Sequence, residues 1–274
     1  MKKKPMIRTL AFGSRSFVKS RELIWQLVRR EISLRYSGSF LGIIWSFINP
    51  LAMLMVYSFV FGTVFKARWG GVATDTQDYT ILLFVGMLIH GLFAECLGKS
   101  ATLIVANSNY VKKVIFPLEI LPWTIIGAGL FHFFTGLLVL MGLQLFLTGG
   151  LQWTLVYLPL ILVPFVLFLV GLSWFVSALG VFFRDIAQLV GMITAIMMFL
   201  SPVFYSIESI PERFRPYMMA NPLTLVIEQA RQVLIYGSQP DMHALLILAG
   251  VGIFTCSTGL WFFNKTRKGF SDVL

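Results

Sequence analysis

The sequence predicts an all-α integral membrane protein with six transmembrane helices. Three observations support this prediction. The 274 residues are 57% hydrophobic and only 12% charged, about half of the ~25% charged residues that soluble domains carry. Six apolar stretches each approach or exceed the roughly 20 residues that a helix needs to cross a bilayer. Basic residues are concentrated ahead of the first stretch, which is typical of a cytoplasmic segment.

The apolar stretches are continuous, which favours helices over the alternating strands of a membrane barrel. They lie at about 42–65, 79–98, 120–147, 155–181, 187–205 and 242–263. Pro50, Pro159 and Pro164 fall within them, and neighbouring helices in a membrane bundle can satisfy the carbonyls that proline frees. Because the sequence contains no internal repeat, we expect residues 1–274 to form a single transmembrane domain.

Charge predicts the orientation of the chain, with both termini cytoplasmic. Of the 22 basic residues, the ones that this topology places outside are Lys66, Arg68, Arg213, Arg215 and Arg231. The opposite orientation would violate the positive-inside rule. We therefore interpret the net charge of +10 as a topology signal and a contact with anionic lipid, and we do not expect nucleic acid as a partner.

Residues 20–36 are predicted to form an interfacial helix along the cytoplasmic leaflet. Ser20 can cap the helix and Glu22 lies in its first turn. A broad apolar face lies opposite a narrow polar arc, a pattern that a helix packed on a soluble partner would share. The apolar face comprises Leu23, Ile24, Trp25, Leu27, Val28 and Ile32, and the arc comprises Glu22, Gln26, Arg29, Arg30 and Ser33.

Residues 99–119 form a polar connection between the second and third predicted spans. Asn107 to Tyr110 supply turn and capping residues, and Pro117 ends the segment. A short amphipathic helix is predicted over 111–116, and it could dock a soluble partner or simply connect two spans. Its residues are Val111, Lys112, Lys113, Val114, Ile115 and Phe116.

Residues 202–241 form the largest segment predicted to lie outside. Pro211 can start a helix over 212–219, the pair at 221–222 breaks it, and a second amphipathic helix is predicted over 223–236. The two helices suggest a hairpin that dips into the outer membrane surface. The second helix is predicted to place Leu223, Val226, Ile227, Val233 and Leu234 on one face and Glu228, Gln229, Arg231 and Gln232 on the other.

The sequence offers no nucleotide or metal site. The stretch at 97–100 (LGKS) resembles the end of a phosphate-binding loop, but Phe93 stands where that loop needs a glycine. Glu95 and Lys99 are better interpreted as an i,i+4 ion pair near the membrane surface. The histidines are scattered, so we expect no metal, and we do not expect this chain to bind ATP by itself.

Aromatic residues recur every four positions along the first predicted span, which predicts a ridge on one helix face. The ridge comprises Trp45, Asn49, Met53, Tyr57, Phe61 and Phe65. Aromatic rings pack against the C–H faces of sugars, so the ridge could line a glycan path, and it could equally pack against helices or lipid. Phe199, Phe204 and Tyr205 near the fifth span are open to the same two interpretations.

The order of several motifs resembles the membrane subunits of ATP-binding-cassette exporters for cell-surface polysaccharides. This family includes O-antigen, capsule and wall-teichoic-acid permeases, and the chain is most similar to the O-antigen type. The motifs are RYSGSFLGIIWSFINP at 35–50, VYSFVFG at 56–62, VKKVIFPL at 111–118, FRDI at 183–186, SPVFY at 201–205, IP at 210–211 and NP at 221–222.

The resemblance implies a homodimer in the bacterial inner (plasma) membrane with two copies of a separate ATPase. It implies that a lipid-linked polymer crosses through a channel at the dimer axis and that the 202–241 hairpins gate its outer end. The residues expected to contact the ATPase are Arg29, Arg30, Asn109, Tyr110, Lys112, Lys113 and Phe116. The residues expected at the outer gate are Pro211, Asn221, Pro222, Glu228 and Arg231.

Two other classes of function are compatible with a multi-pass chain. A membrane enzyme acting on lipid-linked sugar would need a catalytic pair, and the outer acidic residues form no convincing one. These are Glu208, Glu212, Glu228 and Asp241. A self-contained channel or drug-type exporter is the other alternative. The scarcity of carboxylates at span centres weighs against a proton- or sodium-coupled transporter.

Overall fold

The computed structural model describes residues 20–65, 69, 76–111 and 116–274. Within these ranges every regular element is helical. The α-helices are α1 (Arg21–Tyr36), α2 (Trp45–Tyr57), α3 (Thr76–Ser100), α4 (Leu103–Ala106), α5 (Ser108–Val111), α6 (Leu121–Thr148), α7 (Leu158–Phe182), α8 (Ile186–Leu200), α9 (Arg215–Met219), α10 (Pro222–Leu234), α11 (Met242–Thr266) and α12 (Phe270–Val273).

Short 3-10 turns and one π-helical stretch extend these helices. The π-helical residues Ser58–Val64 continue α2, so the first apolar segment is one helical rod with a widened final part. The 3-10 turns are Gly42–Ile44, Leu118–Ile120, Trp153–Tyr157, Ile207–Ser209, Glu212–Phe214 and Arg267–Gly269.

Among the described residues, five helical segments are long and apolar enough to cross a membrane. They are Gly42–Val64, Tyr79–Ser100, Leu118–Leu147, Trp153–Phe182 and Met242–Val273. Each overlaps one of the predicted spans. The predicted span at 187–205 corresponds to α8, an apolar helix of 15 residues. A length of 15 residues is below the roughly 20 needed for a perpendicular crossing, so a sixth span stays a prediction.

Helix α3 is the centre of the bundle, and α2 lies at its edge. In the most apolar window of each segment, 67% of the α3 residues are buried but only 11% of those in Gly42–Val64. Helices α6, α7, α8 and α10 all contact α3. Helix α8 is as poorly buried as the first apolar segment, since Val190 is its one buried residue.

Helices α7 and α11 pack with their backbones in contact. A Cβ atom added to Gly171 would overlap the backbone of Thr255, and one added to Gly259 would overlap the carbonyl of Gly171. Small residues are the usual means by which membrane helices approach this closely. The pair is closely packed, and its member α7 also contacts α3.

Helix α1 packs against the N-terminal part of α6. Its Ile24 and Val28 are buried, and a Cβ atom at Gly127 of α6 would lie 2.5 Å from a methyl carbon of Val28. The predicted helix is confirmed. Trp25, on the predicted apolar face, is exposed in the single chain, and Ser20 is the N-cap residue but makes no side-chain cap to any described residue.

The connection after α3 differs from its prediction. The helical turns lie at α4 and α5, and Phe116 lies outside any helix. The predicted helix over 111–116 is wrong at its far end, because Pro117 restricts the backbone of Phe116 to extended conformations, whereas Val111 is helical as predicted. The remainder of that prediction, including Lys112 and Lys113, lies outside the described residues.

The segment after α8 folds into short helices, as predicted. The first predicted helix forms in two pieces, the 3-10 turn Glu212–Phe214 and α9. The second forms as α10, but its predicted polar face was wrong. Gln229 and Arg231 are buried, because α10 is enclosed by α3, α7 and α11 on several sides and not on one face alone.

Candidate functional site

Five aromatic rings meet where the first apolar segment passes the start of α3. Phe61 is at the centre of this aromatic cluster, which comprises Tyr57, Phe61, Phe65, Tyr79 and Phe204. The Phe61 ring stacks on that of Phe204 with centroids 5.5 Å apart, and it lies 5.7 Å from Phe65 and 6.1 Å from Tyr79. The cluster joins three parts of the chain that are distant in sequence.

Most of the predicted path aromatics belong to this cluster or touch it. The ring of Phe199 lies 5.9 Å from that of Phe204, and the Tyr205 hydroxyl donates to the Phe199 carbonyl at 2.6 Å. Trp45 makes no ring contact with the cluster among the described residues, since it lies three turns earlier on α2. Of the predicted ridge, the aromatic residues from Tyr57 onward therefore belong to the cluster, and Trp45 does not.

Sequence reasoning missed Tyr79. Its ring is buried in the cluster, and its hydroxyl donates to the carbonyl oxygen of Phe204 at 2.7 Å. The signal was weak, because a tyrosine at the start of a span is also typical of an interfacial anchor. The hydrogen bond fixes the turn that presents Phe204 to Phe61.

Arg231 of α10 is completely buried at the same end of the bundle. Its Nε donates to the Leu82 carbonyl at 3.0 Å, and its Nη2 donates to the Val203 carbonyl at 3.1 Å. Its Nη1 pairs with Glu228 at 2.9 Å, and its guanidinium lies 4.3 Å from the centroid of the Trp69 ring. One side chain therefore ties α10 to α3 and to the turn after α8.

The buried guanidinium keeps its charge because its surroundings compensate for the loss of water. Burial lowers the pKa of Arg231, while the Glu228 carboxylate raises it. An arginine pKa starts so high that the group stays protonated at neutral pH. Gly86 of α3 leaves the space that the guanidinium occupies, since a Cβ atom there would lie 3.0 Å from Nη2.

Asn221 provides a second attachment of α10. Its side chain accepts from the Leu223 N–H at 3.0 Å as a helix N-cap, and it donates to Ser201 Oγ at 3.1 Å. Pro222 is the first residue of the helix. The structure thus places four of the predicted outer-gate residues on one anchored helix, whereas Pro211 precedes an exposed 3-10 turn on its own.

At the opposite end of α3, five ionisable side chains form a charged cluster. It comprises Glu31, Arg35, Glu95, Lys99 and His132. The Glu95 carboxylate accepts from Arg35 at 2.6 Å, faces His132 Nδ1 at 2.9 Å and lies 3.4 Å from Lys99. Lys99 also pairs with Glu31 at 2.8 Å. The predicted Glu95–Lys99 pair is confirmed as one contact of a network that joins α1, α3 and α6.

Three of the predicted ATPase-contacting residues meet beside this network. The Arg30 guanidinium donates to the Tyr110 hydroxyl at 2.9 Å, and the Tyr110 ring stacks on that of Phe116 with centroids 4.3 Å apart. Arg29 and Asn109 are exposed nearby in sequence. Helix α1 and the connection after α3 therefore contact each other directly.

Arg267, the first residue of the 3-10 turn Arg267–Gly269, contacts the connection between α3 and α6. Arg267 pairs with Glu119 at 2.8 Å and donates to the Phe116 carbonyl at 3.2 Å. The Trp174 indole of α7 donates to the Glu119 carbonyl at 2.9 Å. Sequence reasoning missed these contacts, because residues 148 positions apart carry no local signal of being neighbours.

Comparison with known proteins gives one consistent result. Residues 22–235 match the family model for the ABC-2 type transporter. The chain is 30% identical over 256 residues to the O-antigen export system permease protein RfbA of Klebsiella pneumoniae, which covers 92% of this chain and 95% of the relative.

Two further relatives extend the comparison. The RfbA permease of Myxococcus xanthus is 27% identical over 260 residues, 94% of this chain and 97% of its own. The polysialic acid transport protein KpsM of Escherichia coli is 23% identical over 247 residues, 88% of this chain and 92% of its own. Since the family match spans most of its length, this chain belongs to the ABC-2 type transporter family as a membrane permease.

Proposed function

We propose that this chain is the membrane subunit of an exporter that moves lipid-linked surface polysaccharide out of the cytoplasm across the bacterial inner membrane. The observation that carries the proposal is the similarity to O-antigen export permeases along more than nine-tenths of both chains. An O-antigen-type polymer is the favoured substrate. Capsule is the second candidate, supported by the weaker similarity to KpsM, and wall teichoic acid is the third.

A homodimer with six spans per chain fits the burial pattern. The first apolar segment and α8 bury few of their residues within one chain. Two copies related by a two-fold axis would bring both pairs of helices around one path. The aromatic cluster then stands at one end of this path, where its rings can pack against sugar C–H faces.

Two copies of a separate ATPase would bind ATP and Mg and drive the transport. Their docking surface is the contact between α1 and the connection after α3, with Arg29, Arg30, Asn109, Tyr110 and Phe116. Lys112 and Lys113 belong to the same proposed surface. Because Arg267 and Trp174 support this connection, a push on it is transmitted to α7 and α11 as rigid bodies.

The outer gate is proposed to move through the short helices before α10. Arg231 and Asn221 anchor α10 to the bundle, while residues 211–214 are exposed. The exposed part, which starts at Pro211, is the part free to swing. Both termini are proposed to be cytoplasmic, which places α10 and the aromatic cluster at the outer end.

Deletion of this gene alone, followed by complementation, tests the proposal. Surface polysaccharide and cytoplasmic polymer are measured in the same cells. We expect polymer to disappear from the surface and accumulate inside, and a plasmid copy to reverse both changes. Loss of polymer from both places would instead indicate a role in synthesis and would favour the membrane-enzyme alternative.

A further inference from the structure

A large cleft opens between α1, α3 and α6 beside the charged cluster. Its volume is about 910 Å³, and its lining includes Arg35, Glu95, Lys99 and His132. The lining extends along α3 from Lys99 to Met87. Twelve residues of α-helix rise roughly 18 Å, which is more than half of the ~30 Å hydrocarbon core. The cleft therefore has a charged mouth and reaches toward the middle of the bilayer.

The inner part of the cleft is apolar and open. Met87, Gly91, Ala94 and Gly98 lie on one face of α3, at spacings of four, three and four residues, and all line the cleft. A Cβ atom at Gly91 or at Gly98 would meet no described atom within 4 Å. Small residues on a membrane helix usually allow another group to approach closely. Within one chain no described residue fills this space.

The cations at the mouth are held in place and remain partly accessible. Glu95 is only 16% exposed and accepts from Arg35, while the Arg35 and Lys99 side chains are 45% and 33% exposed. Glu95 thus lies beneath the two cations and fixes their positions. His132 faces Glu95 through Nδ1, and its Nε2 has no hydrogen-bond partner among the described residues.

The second carboxylate, Glu31, is the group that an incoming anion would replace. Glu31 is 37% exposed and bonds Lys99 at 2.8 Å, so it covers that cation from the open side. A phosphate carries more charge and more acceptor oxygens than a carboxylate, and it can bridge Arg35 and Lys99 together. The exchange releases Glu31 to water at little cost in free energy, because an exposed salt bridge contributes little to stability.

We infer that this cleft binds a phosphate-bearing lipid of the inner leaflet, with the phosphate between Arg35 and Lys99 and the chain along the Gly91–Gly98 face of α3. The lipid's source rests on the proposed function: it is either the polyprenyl phosphate that carries the polymer or an anionic membrane phospholipid. The site itself rests on the geometry of the cleft.

Lipid binding to the purified full-length chain tests the inference, for example by native mass spectrometry during titration. The probes are undecaprenyl phosphate, phosphatidylglycerol and zwitterionic phosphatidylcholine. We expect Arg35→Gln and Lys99→Gln each to weaken binding of the anionic probes about tenfold. Lys265→Gln is the matched control, since Lys265 is an exposed cation on α11 that does not line the cleft.

Glu31→Gln keeps the test informative if the other variants fold poorly. Because it removes the Glu31 carboxylate charge from Lys99, it should tighten binding of the anionic probes several-fold, a gain that misfolding does not produce. Glu22→Gln, on the same helix and outside the cleft, should change nothing. Gly91→Leu should fill the cleft and abolish binding while all charges remain.

The outcomes separate clearly. Preference for undecaprenyl phosphate identifies the polymer carrier as the ligand, and equal binding of phosphatidylglycerol identifies membrane lipid; both support the site. Binding that is unaffected by Arg35→Gln and Lys99→Gln overturns it. So does a Gly91→Leu variant that loses dimerisation but keeps lipid binding, because a second copy then covers the cleft. None of these readouts requires export, so the site and the proposed function can fail separately.

Discussion

Replacing Arg231 by methionine should be among the most destabilising single changes in this chain. Methionine fills the inner part of the same space, but it loses the guanidinium contact with the Trp69 ring and cannot donate to the Leu82 and Val203 carbonyls. Each carbonyl loses a charged donor in a buried position, at about 1.5–3 kcal/mol per bond. Glu228 is 24% exposed and can regain water, so its loss adds less. We therefore expect a destabilisation of about 3–6 kcal/mol.

Thermal unfolding of the purified protein in detergent measures this effect. A destabilisation of that size should lower the apparent Tm by about 10 °C. Arg213→Met is the matched control, because Arg213 is exposed and only lies over the Phe214 ring. The double variant Arg231→Met with Glu228→Gln should recover part of the loss, since it removes the unpaired carboxylate. An Arg231→Met protein that unfolds at the temperature of the control would refute the reasoning.

The remaining predictions concern the other contacts. Phe61→Ala should reduce export of long polymer, because it removes the central ring of the aromatic cluster. Phe59 is exposed on the same segment, so Phe59→Ala should leave export unchanged. The length of surface polymer is measured, and equal effects of the two variants would indicate that the cluster serves only for packing. Gly127→Val should destabilise the chain by about 1–3 kcal/mol, since the new side chain meets Val28, and recovery of stability in a Val28→Ala background would show that overlap as the cause. Tyr110→Phe removes the hydroxyl that accepts from Arg30, so it should weaken co-purification of the permease with the ATPase. The double variant Lys112→Glu with Lys113→Glu should weaken co-purification more strongly. Undiminished co-purification in both variants would contradict the proposed docking surface.

The membrane architecture was largely predictable because it depends on one-dimensional properties. Continuous apolar stretches of sufficient length identified all five long spans. Helix α1 followed from its periodicity, and the helix breaks followed from Pro117 and the pair at 221–222. The charge pattern predicted orientation by the same kind of local rule, and that prediction remains to be tested.

The internal polar contacts were not predictable, because they depend on which helices become neighbours. Arg231 sits in an amphipathic pattern that a surface helix would share, and only the position of α10 against α3 shows that it is buried. Similarly, the periodicity of α3 shows the Glu95–Lys99 pair, but Arg35 and His132 come from 60 and 37 residues away. The position of Tyr79 in the aromatic cluster was likewise unpredictable, because it depends on which helices become neighbours.

ATP-driven movement of polymer in inside-out inner-membrane vesicles tests the central claim most directly. The vesicles contain this permease with its ATPase, and lipid-linked polysaccharide is supplied on the outer face of the vesicle, which corresponds to the cytoplasm. We predict that ATP makes the polymer resistant to an added glycosidase, and that vesicles lacking the permease, or carrying Phe61→Ala, give little protection. Polymer that stays fully accessible to the glycosidase in the presence of ATP would contradict export as the function of this chain.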